Sequence, residues 1–320
     1  MMSGFYKFYK KFGLYTILVA VFIFFSIFAK HFFGIKNFIN ILRQVSISGT
    51  AVIGAAIVMI SGGADMSVGG MLSVGGILAA FAMVHWGLPI PVAVILTILL
   101  CVGIGYLNGF LTTTFHMPGF IVTLGMMLIL DGLAYVISGG YAVFGLPESY
   151  TFLGQGYIGP IPVPVIVFIL AATVSIFLMT KTYFGRDVYA IGGNPEAANL
   201  SGINVRKITI ETYVLCGFFS SLAALMQLSR SNSAQPGVGA SYPFDCMSAA
   251  VLGGISMSGG KGKIYGAVIG VLIIGILDNG LQLMGCDSNL VDVIKGIILI
   301  FAVAMDCMYS NAGKISARLV

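Results

Sequence analysis

Long apolar runs recur along the whole chain, separated by short polar or Gly/Pro-rich stretches. A run of about 20 apolar residues is what a helix needs to cross the hydrocarbon core. Taken in order, the runs predict about ten spans: residues 12–29, a second from 45 to the glycines at 62, then 71–84, 92–111, 120–137, 163–180, 208–228, a short run at 245–255, 265–284 and 291–308. Residues 30–44 read as an amphipathic interfacial piece. His85 and Trp86 open an interface turn, 138–162 is a long loop rich in Gly, Pro and Tyr, and 229–243 is a polar loop.

Two runs stop at glycine clusters, GGADMSVGG at 62–70 and GGISMSGG at 253–260. The run 47–60 would rise only about 21 Å and 245–255 less, against a core of about 30 Å. Helix ends inside hydrocarbon survive only where protein or a water-filled cavity satisfies their backbone groups. Paired, glycine-interrupted segments in the two halves point to a transporter's pathway. Tight helix packing at small residues explains the same glycines without a solute role. On the pathway reading, Gly62, Gly63, Asp65, Ser67, Gly253, Gly254, Ser256 and Ser258 belong to the solute route, with Asp65 and Ser67 placed to cap the helix that restarts. Intramembrane polar groups are rare and usually functional, which adds Asn108 and Asn279 to the route. Asp131, Asp278, Asp292, Lys295 and Asp306 are further candidates. Asp292 and Lys295, at i,i+3, can pair with each other. Asp278 is either pore-lining or half of a pair between subunits. The GxxxG steps Gly105/Gly109 and Gly266/Gly270 offer close helix contacts.

The longest polar interruption, 181–207, carries a short helix with both ends marked. Asn194 can cap it, Pro195 suits its first position, Glu196 sits in the first turn, and Gly202 can take the left-handed stop. Two turns are too few to hold themselves in water. A defined helix in such a connection is either a docking element or an ordinary capped loop.

Composition narrows the class. Hydrophobic residues make up 58% and charged residues 8%, against roughly 25% charged in soluble domains, and mean hydropathy is +1.02. The chain is therefore expected to be an all-α polytopic membrane protein, residues 1–320 forming one transmembrane domain in membrane lipid with no soluble domain. The +5 net charge is spread over short loops, so nucleic acid is not implied. Lys/Arg placement sets orientation. With both termini cytoplasmic, Lys7, Lys10, Lys11, Lys181, Arg186, Arg206, Lys207, Lys261, Lys263, Lys314 and Arg318 lie inside, and Lys30, Lys36, Arg43 and Arg230 outside. The first span reads as retained, not as a cleaved signal. Cys101, Cys216, Cys246, Cys286 and Cys307 are scattered, with neither a CxxC pair nor a nearby His, so a metal site is not expected. His85 and His116 read as structural.

No GxxxxGK[ST] occurs; Ser258-Gly-Gly-Lys261 lacks the earlier glycine and the following hydroxyl. HExxH and GxSxG are also missing. The chain is thus expected to be a transport subunit and not an enzyme. Its driving force must come from an ion gradient, with Asp131 or Asp278 as proton sites, or from a separate ATPase. The capped helix favours the ATPase.

Several ordered motifs resemble the membrane permease subunits of bacterial ribose, xylose and galactoside-type ABC importers, over nearly the whole chain. They are Ser61-Gly-Gly-Ala-Asp65-Met-Ser-Val-Gly69, Gly185-Arg-Asp-Val-Tyr-Ala-Ile-Gly-Gly-Asn194 with Glu196-Ala-Ala198 and Ser201-Gly-Ile203, Ala249-Ala-Val-Leu-Gly-Gly-Ile-Ser-Met-Ser-Gly-Gly260, Asn279-Gly-Leu281 and Lys295-Gly296. This chain has Asp131 where the family often has Arg, and Pro243 where it often has Glu. The resemblance implies the ABC importer permease fold in a bacterial plasma (inner) membrane. It implies a dimer with a like or unlike second permease, an extracytoplasmic sugar-binding protein, and a cytoplasmic ABC ATPase that binds ATP and Mg; this chain itself would bind no cofactor. It places ATPase coupling at Gly192, Gly193, Asn194, Pro195, Glu196, Ala197, Ala198 and Gly202. A monosaccharide is the implied solute; branched-chain amino acids or another small polar solute are the alternative.

Overall fold

Proline and glycine punctuate the helices as their backbone preferences require. Pro89, Pro118 and Pro162 sit at helix starts, while Gly139 takes the left-handed conformation that ends one. The computed structural model describes the backbone of residues 2–318 and the side chains of residues 14–304. In chain order its elements are α1 (Met2–Phe28), α2 (Ile35–Ile60), α3 (Val68–Val84), α4 (Ile90–Thr114), α5 (Gly119–Ser138), α6 (Phe152–Gln155), β1 (Tyr157–Ile158), β2 (Ile161–Pro162), α7 (Val163–Lys181), α8 (Tyr183–Gly193), α9 (Pro195–Leu200), α10 (Val205–Ser231), α11 (Tyr242–Leu252), α12 (Ile264–Leu283) and α13 (Ser288–Arg318). The two strands form a small antiparallel hairpin in the loop between α5 and α7.

Among the described residues, six helices (α2, α4, α5, α7, α10 and α12) are long and apolar enough to cross a membrane. Residues 14–28 of α1 and all of α3 are shorter apolar helices, and α11 has 11 residues. The expected ten is reached only by counting these and α13. The side chains of Lys7, Lys10, Lys11, Asp306, Cys307, Lys314 and Arg318 lie outside the described residues.

Helix α2 is the hub. Buried residues account for 78% of its most apolar window, against 28% in α4 and in α5, whose bare apolar faces suit lipid. Helix α10 packs against both α2 and α4. Both GxxxG steps lie at helix crossings. A Cβ on Gly109 would come within 2.7 Å of the Ile210 Cα, and one on Gly266 would collide with the Gly253 carbonyl.

The break expected between residues 30–44 and the second span is not there. Helix α2 runs unbroken from Ile35 to Ile60, about 39 Å at 1.5 Å per residue. The polar pair Arg43–Gln44 does not end it, because the Arg43 guanidinium donates to the Gln155 carbonyl at 2.7 Å and lies 4.5 Å from the Tyr157 ring centre. The first glycine break therefore does not follow a short helix. The second does: α11 is only about 16 Å long, and the loop before it dips inward, where the Gly239 backbone abuts Gly69 and its N–H donates to Ser73 Oγ at 3.2 Å.

Candidate functional site

Helix α7 hands over to the polar connection at Thr182, whose side chain accepts the Gly185 N–H at 3.4 Å and so caps α8. Helix α8 buries Gly185, Val188, Ile191 and Gly192, one stripe at helical spacing. This helix was missed in the sequence because its Gly192–Gly193 pair reads as a break. The signal for it was the Thr182 cap together with the Val188/Ile191 spacing. Helix α9 matches expectation closely. Asn194 Oδ1 accepts the Ala197 N–H at 3.0 Å, Pro195 opens the helix, Glu196 lies in the first turn, and Gly202 turns with φ of 84°. Only Ala198 is buried within α9; Ala197 is exposed and Leu200 is 90% exposed.

Both glycine breaks meet the end of α8, backbone against backbone. The Gly260 N–H donates to the Ile60 carbonyl at 2.8 Å. A Cβ on Gly192 would collide with that same carbonyl and with Gly260. A Cβ on Gly259 would lie 2.6 Å from the Gly62 Cα. Tyr189 Oη donates to the Gly262 carbonyl at 2.8 Å. Burial raises the Tyr189 phenol above its usual range, in keeping with its role as a protonated donor. A groove of about 820 Å³ opens beside the junction, between Gly62, Gly63, His116, Glu196 and Arg206.

Beyond the junction, the first break is stitched to three helices. Asp65 Oδ1 accepts the Ser67 N–H at 2.9 Å and its hydroxyl at 2.6 Å; Asn108 Nδ2 donates to Ser67 Oγ at 2.9 Å. Thr123 accepts the Met66 N–H at 3.1 Å, and Tyr213 Oη donates to the Ala64 carbonyl at 3.3 Å. Ser67 sits at the start of α3 but makes no side-chain cap; its hydroxyl is spent on Asp65. Asp65 Oδ2 and Asn108 Oδ1 are buried without a hydrogen-bond partner.

The other pathway candidates do not gather there. Gly253 packs on α12, Gly254 (φ 82°) forms the turn, Ser256 is buried within the loop and Ser258 is exposed. Asn279 exchanges amide hydrogen bonds with Asn37 at 2.8 and 2.9 Å, tying α12 to α2. The sequence also missed a charge cluster. Lys295 lies 3.0 Å from Asp245 and 3.0 Å from Asp278, but 4.0 Å from Asp292. Asp278 thus finds its partner within the chain, from helices that sequence spacing could not connect. Asp131 has a buried Oδ1 without a hydrogen-bond partner, and His85 packs its ring against Phe81.

Residues 37–303 match the family described as the branched-chain amino acid transport system / permease component. The chain is 42% identical to the ribose import permease protein RbsC of Bacillus subtilis (strain 168), covering 92% of this chain and 90% of that one. It is 32% identical to the xylose transport system permease protein XylH of Haemophilus influenzae (92% and 96% covered). It is 31% identical to the galactose/methyl galactoside import permease protein MglC of Escherichia coli strain K12 (96% of each). No solved structure matches it.

Proposed function

The chain belongs to the branched-chain amino acid transport system / permease component family, and we propose that a separate ATPase drives it through α8 and α9. It is the transmembrane subunit of an ABC sugar importer, a multi-pass inner-membrane transport component and not an enzyme. In this reading the ATPase hydrolyses ATP with Mg, a second permease, like or unlike, completes the pore, and an extracytoplasmic receptor delivers a ribose-, xylose- or galactoside-like monosaccharide. The termini and α8–α9 face the cytoplasm. Gly192, Gly193, Asn194, Pro195, Glu196, Ala197, Ala198 and Gly202 form the coupling element; Gly62, Gly63, Asp65, Ser67 and Asn108, at the first break, serve the solute route, while Gly253, Gly254, Ser256, Ser258 and Asn279 lie apart from that group.

The observation that carries this reading is the wedge of α8 against both breaks, with no side chain between Gly192, Ile60 and Gly260 to absorb movement. Displacement of α8 by nucleotide closure would be passed directly to the two irregular segments, which is rigid-body switching through a packed contact. Asn194 and Pro195 fix the entry of α9, and the exposed Ala197 and Leu200 seat it in the motor. The test replaces Ala197 with Trp and Glu196 with Arg in the assembled importer. Sugar uptake and ATPase co-purification should both fall at least ten-fold; unchanged values for both would remove the docking role.

A further inference from the structure

The polar cavity between α2, α11, α12 and α13, about 300 Å³ in volume, has no part in the coupling junction. Its walls on α2 run from Val52 to Gln44, about 12 to 24 Å along the helix from Ile60. It therefore lies in the half of the molecule away from α8. Its inner wall is the start of α11, reached by the loop that dips to Gly69. Irregular backbone at such depth is tolerated where it lines a water-filled cavity. Into this space face Asp245, Asp278, Asp292 and Lys295, beside Gln44 and Ser48.

We propose that this cavity is a sugar-binding site within the permease itself, with Lys295, Asp245 and Asp278 taking the hydroxyl groups of a neutral monosaccharide on its way inward. The inference rests on the importer reading and goes beyond it by giving this chain its own solute contacts. Three observations decide the chemistry of the ligand. First, the volume stands at the low end for ligand pockets, about 300 to 1,000 Å³, which suits a single ring. Second, three carboxylates surround one ammonium, so a phosphorylated sugar or an amino-acid carboxylate would meet net repulsion. A polyol instead donates its hydroxyls to the carboxylates and accepts from the ammonium, bonds strengthened by charge. Third, the Lys295 ion pairs are largely shielded, at 13% side-chain exposure, and charges held at membrane depth are expensive unless they face a pathway or each other. Here they do both. The same pairs hold the carboxylates in place before the sugar arrives, so little ordering is required on binding.

The test uses the complete importer in proteoliposomes, supplied in turn with radiolabelled D-ribose, D-xylose and D-galactose through the receptor. Asp278→Asn removes one charged acceptor, and Ser48→Leu fills the wall without touching an ion pair. Both variants should import sugar at least ten-fold more slowly while receptor-stimulated ATP hydrolysis stays within two-fold of wild type. If Asp278→Asn fails to assemble, Ser48→Leu decides. Wild-type uptake in Ser48→Leu, or loss of uptake and hydrolysis in equal proportion, overturns the site and leaves the importer reading intact. A wild-type complex that imports none of the three sugars overturns the importer reading itself.

Discussion

At the scale of single residues, the glycines where α8 meets the two breaks separate into those that touch and those that do not. Gly192 has the Ile60 carbonyl and the Gly260 backbone where a Cβ would be, whereas Gly193 has nothing within 4 Å of that position. Backbone cannot swing aside as a side chain tip can, so Gly192→Ala should cost about 1–3 kcal/mol as overpacking, and Gly193→Ala close to nothing. Thermal unfolding of the two purified variants checks this; equal midpoints would mean that the junction is loose. Asn279 offers a second residue-scale test. Its reciprocal bonds with Asn37 make Asn279→Leu leave a part-buried amide underpaired, at about 1 kcal/mol or somewhat more. Replacing both asparagines with leucine should recover most of that loss. A double variant as unstable as the sum of the singles would show that the amides do not act as a pair. Neither Gly192 nor Asn279 revealed its role in the sequence. Resemblance alone placed the glycine in a coupling segment, its contact with both breaks is tertiary, and Asn37 lies 242 positions from its partner.

At the scale of elements, the sequence was legible where local chemistry decides and opaque where a distant partner does. Helix α9 could be drawn in advance because Asn194, Pro195 and Gly202 specify its ends through backbone preferences alone. Helix α2 was cut short at residue 45 because residues 30–44 read as a separate piece, and the Gln155 carbonyl and the Tyr157 ring that hold Arg43 are distant in the sequence. Helix α8 was overlooked because its terminal glycines argue locally against helix, and packing overrides that cost of about 1 kcal/mol each. The paired elements α8 and α9 also divide labour in a way that can be tested. Val188 and Ile191 face inward, while Leu200 stands out from α9. Leu200→Glu should leave the unfolding midpoint unchanged, since the side chain is already in solvent, yet reduce ATPase co-purification at least ten-fold. Val188→Asp should lower the midpoint and coupling together, because it places a charge in the packed stripe. If Leu200→Glu retains the ATPase fully, the exposed face of α9 is not what the motor holds.

At the scale of the whole molecule, the junction and the polar cavity lie toward opposite ends, and the distribution of Lys and Arg gives an expectation of which end faces the cytoplasm. Short connections rich in Lys and Arg stay inside, so the expected arrangement has the α8–α9 end inward and the loop between α5 and α7 outward. That loop is pinned to the end of α10 through Tyr150, Gly154 and Ser229, and it carries Tyr141, which is 80% exposed. Sidedness is therefore open to labelling from one face of the membrane. Cys101, Cys216 and Cys246 are buried, Cys286 is half-buried, and all five cysteines can first be replaced with serine or alanine. In that background Tyr141→Cys should react with a membrane-impermeant maleimide in intact cells. Leu200→Cys should react only after the membrane is permeabilised. The reverse pattern would invert the whole arrangement: the wedge of α8 would then face the receptor and the Lys295 cavity the cytoplasm, and a cytoplasmic ATPase could no longer act on the two glycine breaks through the contact that joins them.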